Sequence, residues 1–484
     1  MVIYITPLLC AALGGIIGFY ILGAEITVVF LAVIAVVLVF TCFLRSISSL
    51  YKKSRVLKFL TIRCVLLCSG IVFGVCAANS SRNVIKFGMN ENKITAIKGM
   101  LLEDPRVISN GNVIVPVSLR ECAGNNGARV SASGRISVFF PPENAQRLRD
   151  FGRGSLVYTE GTFRASRTGI TFNAQSVHIV KPASNINRLR TDIRLNLMSR
   201  FEGTSWGGLA LALLLGIRDN LDSNLAEHYR NAGCSFILAL SGMHLAVIAS
   251  IIAFFLKKPL GMKGAAVTGA VIIILYCFIV GPMPSLNRAA LMYLLGVITI
   301  LGALPKDPLQ ILSLSFLIQI AVFPAQGNSI SFILSYMALA GILVIGYPVY
   351  ALFSGYIPDL LLKPLSASCG AFLATAGITA FSFGFLSPVG ILAGLVLAPL
   401  TTVFMAASMF SLLPDLFSFG WLIGKFLSLL YILMEKIVTL ASYVPGITSD
   451  KPMTVIVLSV FFSLGIIILD RGRREETLNP LPLA

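Results

Sequence analysis

The chain has 484 residues, of which 56% are hydrophobic and 12% charged, with a formal net charge of +17 and a mean hydropathy of +0.87. An average soluble domain carries about 25% charged residues, so a soluble fold that hides this much apolar surface is excluded. What remains is a protein solvated largely by lipid.

A helix crosses a hydrocarbon core of about 30 Å with about 20 residues. Apolar runs suited to that length recur near 5–22, 26–44, 60–78, 236–256, 265–280, 289–304, 309–323, 330–350, 367–385, 388–412, 422–444 and 455–469. They predict a polytopic α-helical membrane protein of about a dozen spans. The first run lacks the basic leader of a signal peptide, and a second follows after a short turn at Gly23 to Glu25, so a hairpin of two spans is the better reading.

Short loops rich in Lys and Arg stay on the cytoplasmic side. The loop after the second run holds Arg45, Lys52, Lys53, Arg55 and Lys58. The third span then exits outward, which predicts an extracytoplasmic location for residues 79–204. Lys257, Lys258 and Lys263 after the span at 236–256, and Arg471, Arg473 and Arg474 after the last one, agree with this and place both termini in the cytoplasm. Six of the nine cysteines (Cys10, Cys42, Cys64, Cys68, Cys277 and Cys369) fall inside spans as small packing residues. Cys122 stands alone in the outer segment, which excludes a disulfide-framed module there.

After Ala78 the period changes to alternation, with runs at 94–102, 113–119, 134–140, 156–163 and 170–180 separated by Asn110-Gly111, Asn126-Gly127 and Pro141-Pro142. Five short strands with such turns predict a small barrel or sandwich over 79–182; an OB-like β-barrel suits the count, and other small barrels fit nearly as well. Residues 79–204 carry 18 Lys and Arg against 9 Asp and Glu, a net of +9. Arg164 and Arg167 flank Phe163, and Arg153 lies near Phe151. Cations meeting phosphates beside rings that stack on bases suit single-stranded DNA; a basic surface held against anionic membrane lipid is the competing reading.

Ile186, Leu189, Ile193, Leu197 and Phe201 recur every three or four residues, which predicts an interfacial amphipathic helix over 183–204. Trp206 to Gly216 is apolar but about half the length of a span, so a re-entrant segment is expected at the start of a membrane domain covering 205–484, as 1–78 forms the N-terminal transmembrane part. Arg218, Asp219, Asp222, Glu227, His228 and Arg230 then crowd before the next span, either as a solvated collar or as the mouth of a polar path.

The stretch Gly233-Cys234-Ser235-Phe236-Ile237-Leu238-Ala239-Leu240-Ser241-Gly242-Met243-His244 sets a hydroxyl, a helix-weakening glycine and an imidazole near the start of a span, where polar groups are costly and face a cavity or a partner. It resembles the signature of the ComEC competence-protein family, matching at Gly233, Leu238, Ala239, Ser241, Gly242 and His244, with Met243 for the usual Leu and Ser235 where a first His is common. Gly281-Pro282-Met283-Pro284-Ser285-Leu286-Asn287-Arg288-Ala289 is similar to a second family landmark, and Leu213 to Gly216 fits a third. The resemblance implies an inner-membrane channel that passes single-stranded DNA into the cytoplasm during natural transformation. Ser241, Gly242, His244, Ser285, Arg288, Arg218 and Asp219 are its candidate conduit residues. Many members of that family add a metallo-β-lactamase-like domain. The three histidines of this chain, His178, His228 and His244, do not suffice for a dinuclear site of that kind. No metal or other cofactor is expected, and a nuclease and a cytoplasmic helicase would be separate partners.

Other chemistry is weaker in the sequence. Gly420 to Phe426 is one residue short of a P-loop and lacks its Ser or Thr. Ser241 and His244, three apart, suggest an intramembrane serine hydrolase as a rival, although Ala239 replaces the elbow glycine. A transporter for a smaller anion is a second rival. Gly14 with Gly18, Gly70 with Gly74, and Gly390 with Gly394 predict close helix packing within the chain.

Overall fold

The computed structural model describes residues 7–22, 55–83, 85–90, 93–108, 111–124, 128–144, 148, 152–166, 169–305, 307–412, 420–448 and 452–478. The expected span at 26–44 and most of the basic loop after it lie outside these residues. Among the described residues, seven helices are long and apolar enough to cross a membrane: Ile62–Ser81, Gly242–Val280, Pro284–Leu301, Ile330–Phe353, Asp359–Phe383, Gly390–Phe410 and Met453–Asp470. Leu8–Tyr20 and Pro308–Val322 are apolar but shorter, and the run expected at 422–444 forms the helix Gly420–Ser442.

Two of the expected spans, 236–256 and 265–280, are one 39-residue helix by hydrogen bonding, Gly242–Val280. A straight helix of that length would measure about 58 Å, twice the hydrocarbon core. It breaks at Gly261, whose φ of 69° and ψ of 179° are non-helical, two residues after Pro259. A Cβ placed on Gly269 would sit 3.7 Å from Ile252, although 17 residues of straight helix would separate them by about 26 Å. The two arms therefore run antiparallel, and the Lys257, Lys258 and Lys263 turn lies at their tip.

The N-terminal helices α1 (Pro7–Ile16) and α2 (Arg55–Ser81) touch backbone to backbone. A Cβ on Gly14 would lie 2.0 Å from the Leu67 carbonyl oxygen and one on Gly70 2.1 Å from that of Ala11, so any side chain there would push the helices apart. Gly18 and Gly74 meet the same pair of helices, and Gly390 closes on the Gly233 carbonyl. The small-residue pairs therefore pack the monomer.

The segment after α2 forms a five-stranded barrel of β1 (Ile94–Leu101), β2 (Val113–Gly124), β3 (Arg135–Phe140), β4 (Leu156–Ser166) and β5 (Gly169–Ala174). β1 pairs antiparallel with β2 and β4, β2 with β3, and β4 with β5. A parallel β3–β5 pairing, Val138 opposite Phe172, closes the ring. This count and order suit an OB-type Greek-key barrel. Alternate residues Val113, Val115 and Val117 of β2 point inward with Val138, Phe140 and Phe172, as the two-residue period of a strand requires.

Next come α3 (Asn185–Phe201), α4 (Gly207–Leu215), α5 (Ser223–Asn231) and α6 (Ser235–Leu238). The bundle continues with α7 (Gly242–Val280), α8 (Pro284–Leu301), α9 (Pro308–Val322), α10 (Ile330–Gly341, prolonged to Phe353), α11 (Asp359–Phe383), α12 (Gly390–Phe410), α13 (Gly420–Ser442) and α14 (Pro452–Leu478). α3 locks barrel to bundle. Asp104, in the β1–β2 loop, receives hydrogen bonds from Arg190 Nη1 at 2.9 Å and Nη2 at 2.6 Å. Arg190 also donates to the carbonyls of Phe278 and Val280 at the end of α7, and Arg194 to those of Ile279 and Val280. These carbonyls have no helical partner and carry the negative end of the helix dipole. Gly281, at φ 102°, leaves room for this: a Cβ there would stand 2.9 Å from Arg190 Nη2.

α3 is thus tied to the end of α7 through Arg190 and Arg194. The apolar stripe read from its sequence divides: Phe201 is buried while Ile186 and Leu189 stay exposed. Its two central arginines turn inward because Asp104 and the α7 carbonyls wait there.

Candidate functional site

The signature stretch is a broken helix. α6 ends at Leu238, Ala239 is extended (φ −80°, ψ 127°), and Ser241 is extended again (φ −134°, ψ 178°) before α7 begins at Gly242. Ser241 and His244 form a reciprocal cap. The Ser241 hydroxyl accepts from the Met243 N–H at 3.3 Å, and the Ser241 N–H donates to His244 Nδ1 at 3.1 Å. Nδ1 must then carry a lone pair, which puts the proton of the neutral ring on Nε2. That Nε2 is buried and has no hydrogen-bond partner.

Two further helix starts meet this break. Ser285, in the first turn of α8, donates to the Leu240 carbonyl at 2.8 Å and lies 3.4 Å from the hydroxyl of Ser331, in the first turn of α10. Each helix N-terminus carries a partial charge of about +0.5, so three of them concentrate roughly +1.5 around Ser285. Arg288 adds a full charge one turn further into the bundle. Only 8% of it is exposed, one terminal nitrogen donates to the Ser335 carbonyl, and its Nε has no partner. A Cβ on Gly242 would lie 3.3 Å from Arg288 Nη2, so the glycine admits the guanidinium against the start of α7. Discontinuous helices whose N-termini face one point inside a membrane suit anionic groups.

Around the cation runs a polar network. Gln319 Nε2 donates to the Pro284 carbonyl and to Gln326 Oε1, each at 2.9 Å, while Tyr336 OH donates to Gln319 Oε1 at 2.9 Å. The Tyr336 ring lies 5.9 Å from the guanidinium centre of Arg288, a cation–π distance. Gln319 and Ser315 are fully buried inside α9. Sequence reasoning passed over them; the signal was a glutamine and serines within an apolar run, since such polar groups inside a membrane mark an interior face.

Comparison with known proteins places these residues in a family. The family profile described as "Competence protein" matches residues 213–474, more than half of the chain. The chain belongs to this family. An uncharacterised protein of Aquifex aeolicus (strain VF5) is 32% identical over 213 residues, which are 44% of this chain and 48% of the relative. The chain thus spans about half the length of that curated relative. The matched segment holds Arg218, Asp219, Ser241, Gly242, His244, Ser285 and Arg288, and the barrel lies outside it.

Ser241, Gly242, His244, Ser285 and Arg288 are therefore one cluster. Arg218 stands at its rim, where Nη2 donates to the Leu238 carbonyl at 2.9 Å. Burial first, and then the charge of Arg106 from the barrel loop, lower the Arg218 pKa from its ordinary value. Two guanidinium groups thus repel each other at the junction of barrel and bundle. Asp219 acts on Arg194 from the same loop.

The barrel candidates are more scattered. Phe163 is half-buried, edge-on to Phe87 at 5.0 Å and to Phe172 at 4.9 Å, so its ring is engaged by the barrel core. Arg164 is exposed. Arg153 donates its backbone N–H to Asp104 at 3.4 Å, which puts it beside the bundle junction. Phe151 and Arg167 lie outside the described residues.

Proposed function

We propose that this member of the Competence family is an inner-membrane channel that carries single-stranded DNA into the cytoplasm. The observation that carries the reading is the meeting of three helix N-termini and a buried, incompletely paired Arg288 inside an apolar bundle. A polyanion is the cargo that such a charge suits, because its phosphates meet fixed positive ends while the surrounding polar groups replace water. The Lys and Arg pattern supports a barrel on the extracytoplasmic face with both termini inside. The barrel's net positive charge gathers the strand or holds anionic lipid. The cluster braces the conduit and performs no covalent chemistry.

The test is uptake of labelled DNA by a strain lacking this chain and complemented with variants. Arg288→Ala is expected to abolish uptake while membrane insertion stays intact. Uptake equal to the parent would exclude the cluster from the path, and normal uptake in the deletion strain would favour a smaller anion as cargo. One contact supports a different reading: the Ser241 hydroxyl lies 3.2 Å from His244 Nδ1, as in a nucleophile and its base. Ser241→Ala separates the two, since a hydrolase cannot lose its nucleophile.

A further inference from the structure

α3 and α4 form a helical hairpin that enters the bundle from the barrel end and returns to it. Arg190, near its start, binds the carbonyls of Phe278 and Val280 beside Gly281. Ten residues on, Arg200 donates to the Leu412 carbonyl just past α12. α12 begins against the Gly233 carbonyl, next to the break that starts α7, and ends with Phe410 packed edge-on to Phe255 at 6.4 Å, near the lysine turn. Leu412 is therefore at the end of the bundle away from the barrel. At the hairpin tip Trp206 packs on Phe404 at 6.4 Å, and α4 climbs back until Gly216 meets Leu240 and Met283.

The two arms face different surroundings. α4 is buried almost throughout, from Gly207 to Leu215. α3 buries Arg190, Thr191 and Phe201 but turns outward Ile186 and Leu189 near its start and the polar residues Arg188, Asp192, Asn196 and Ser199. These four are spaced four, four and three residues apart, which makes one continuous stripe on a helix. It meets at the tip an open, largely apolar groove of Trp206, Trp421, Leu429 and Ile432 in which Lys425 and Ser428 are polar, and where the Lys425 ammonium stands 4.4 Å over the Trp421 ring.

A stripe of this composition at this depth is disfavoured against acyl chains, because neither its charges nor its amide find hydrogen-bond partners there. We propose that the outward face of α3 walls a water-filled groove running the depth of the bundle, and that a phosphodiester chain passes along it. The second half of this proposal rests on the channel reading above; the aqueous groove does not. Arg188, Arg200 and Lys425 outnumber Asp192 and Glu202 along the face, which attracts a polyanion. The interspersed carboxylates keep any one site weak enough to release it, as conduction requires.

The test is thiol accessibility in the full-length protein, reconstituted in vesicles, with the exposed Cys76 replaced by Ser. Single cysteines are introduced as Asn196→Cys, Ser199→Cys, the barrel position Arg129→Cys and the outward apolar position Phe461→Cys. The probe is a cationic methanethiosulfonate, which reacts with a thiolate, a species that forms in water and is suppressed in hydrocarbon. Asn196→Cys and Ser199→Cys are expected to react within about tenfold of Arg129→Cys, and Phe461→Cys at least a hundredfold more slowly. If Asn196→Cys and Ser199→Cys react as slowly as Phe461→Cys, yet label with a lipid-soluble maleimide, the groove is overturned. Adding a single-stranded oligonucleotide is expected to protect Ser199→Cys. Rapid labelling without protection keeps the aqueous face and counts against the nucleic acid alone.

Discussion

Replacing Asp104 by Ala would remove a carboxylate that joins barrel to bundle through Arg190 and Arg194. Arg190 is 2% exposed and Asp104 24%, so this is a largely buried pair, with Arg194 3.5 Å from the same carboxylate. Removing one partner of a buried pair costs about 3–5 kcal/mol, because the other charge is left uncompensated. Arg190 keeps the carbonyls of Phe278 and Val280, which places the cost near the lower end, about 3 kcal/mol, or roughly 150-fold in the ratio of docked to undocked barrel. The assay is limited proteolysis of the solubilised protein at residues 182–184, between barrel and α3, under conditions where cleavage follows the population of the open form. A rise of two orders of magnitude in the cleavage rate is expected, and a change below threefold would refute the reasoning. Asp104→Leu combined with Arg190→Met is expected to lie nearer the parent than either single change, since apolar replacement of both partners removes the desolvation cost as well.

The same pair sets a pH dependence. Burial alone would raise the Asp104 carboxyl, but the Arg190 hydrogen bonds and the charges of Arg194 and Arg190 outweigh it and hold the group below the ordinary carboxylate value. A depressed folded-state pKa contributes stability that is fully present above the unfolded value of about 3.9 and is lost as pH falls through the folded one. Protection of the junction should therefore be flat from pH 5 to 8, and a loss within that window would assign docking to another group. Within the cluster, Ser241→Ala removes a cap hydrogen bond of about 1 kcal/mol net, so uptake should persist; complete loss, with labelling of Ser241 by a serine-reactive phosphonate, would promote the hydrolase. Gly242→Leu drives a side chain into the Arg288 guanidinium and should abolish uptake without lowering the amount of protein in the membrane, an outcome read from blots of membrane fractions beside uptake counts. Single-stranded DNA binding by the full-length protein in detergent should weaken steeply as salt rises, because Lys and Arg release counterions from phosphates; a flat response would leave the lipid-surface role. In intact cells Arg129→Cys should react with an impermeant thiol reagent and Lys257→Cys should not, and the reverse pattern would invert the topology.

Much of this protein is written locally. Span length depends on consecutive apolar residues, so the runs at 330–350 and 388–412 could be read directly and recur as Ile330–Phe353 and Gly390–Phe410. The alternation of Val113, Val115 and Val117 likewise reports one face of a strand whatever it pairs with, and the glycine pairs report a close neighbour without naming it. What the neighbour is, only the tertiary structure decides. Asp104 and Arg190 stand 86 positions apart, and nothing in the helical period of 183–204 announces that an arginine would be drawn inward. The wheel counts apolar residues, but a buried guanidinium is stable wherever a carboxylate and free helix-end carbonyls converge on it. In the same way Ser241, Gly242 and His244 were legible as a motif and Arg288 as part of the landmark at 281–289. Their meeting with Ser285 and Ser331 depends on three helices starting at one point, a property of how the chain folds back on itself. Gln319 and Tyr336 were left among the apolar residues around them, because a polar group in a span shows its role only when the face it turns to is known.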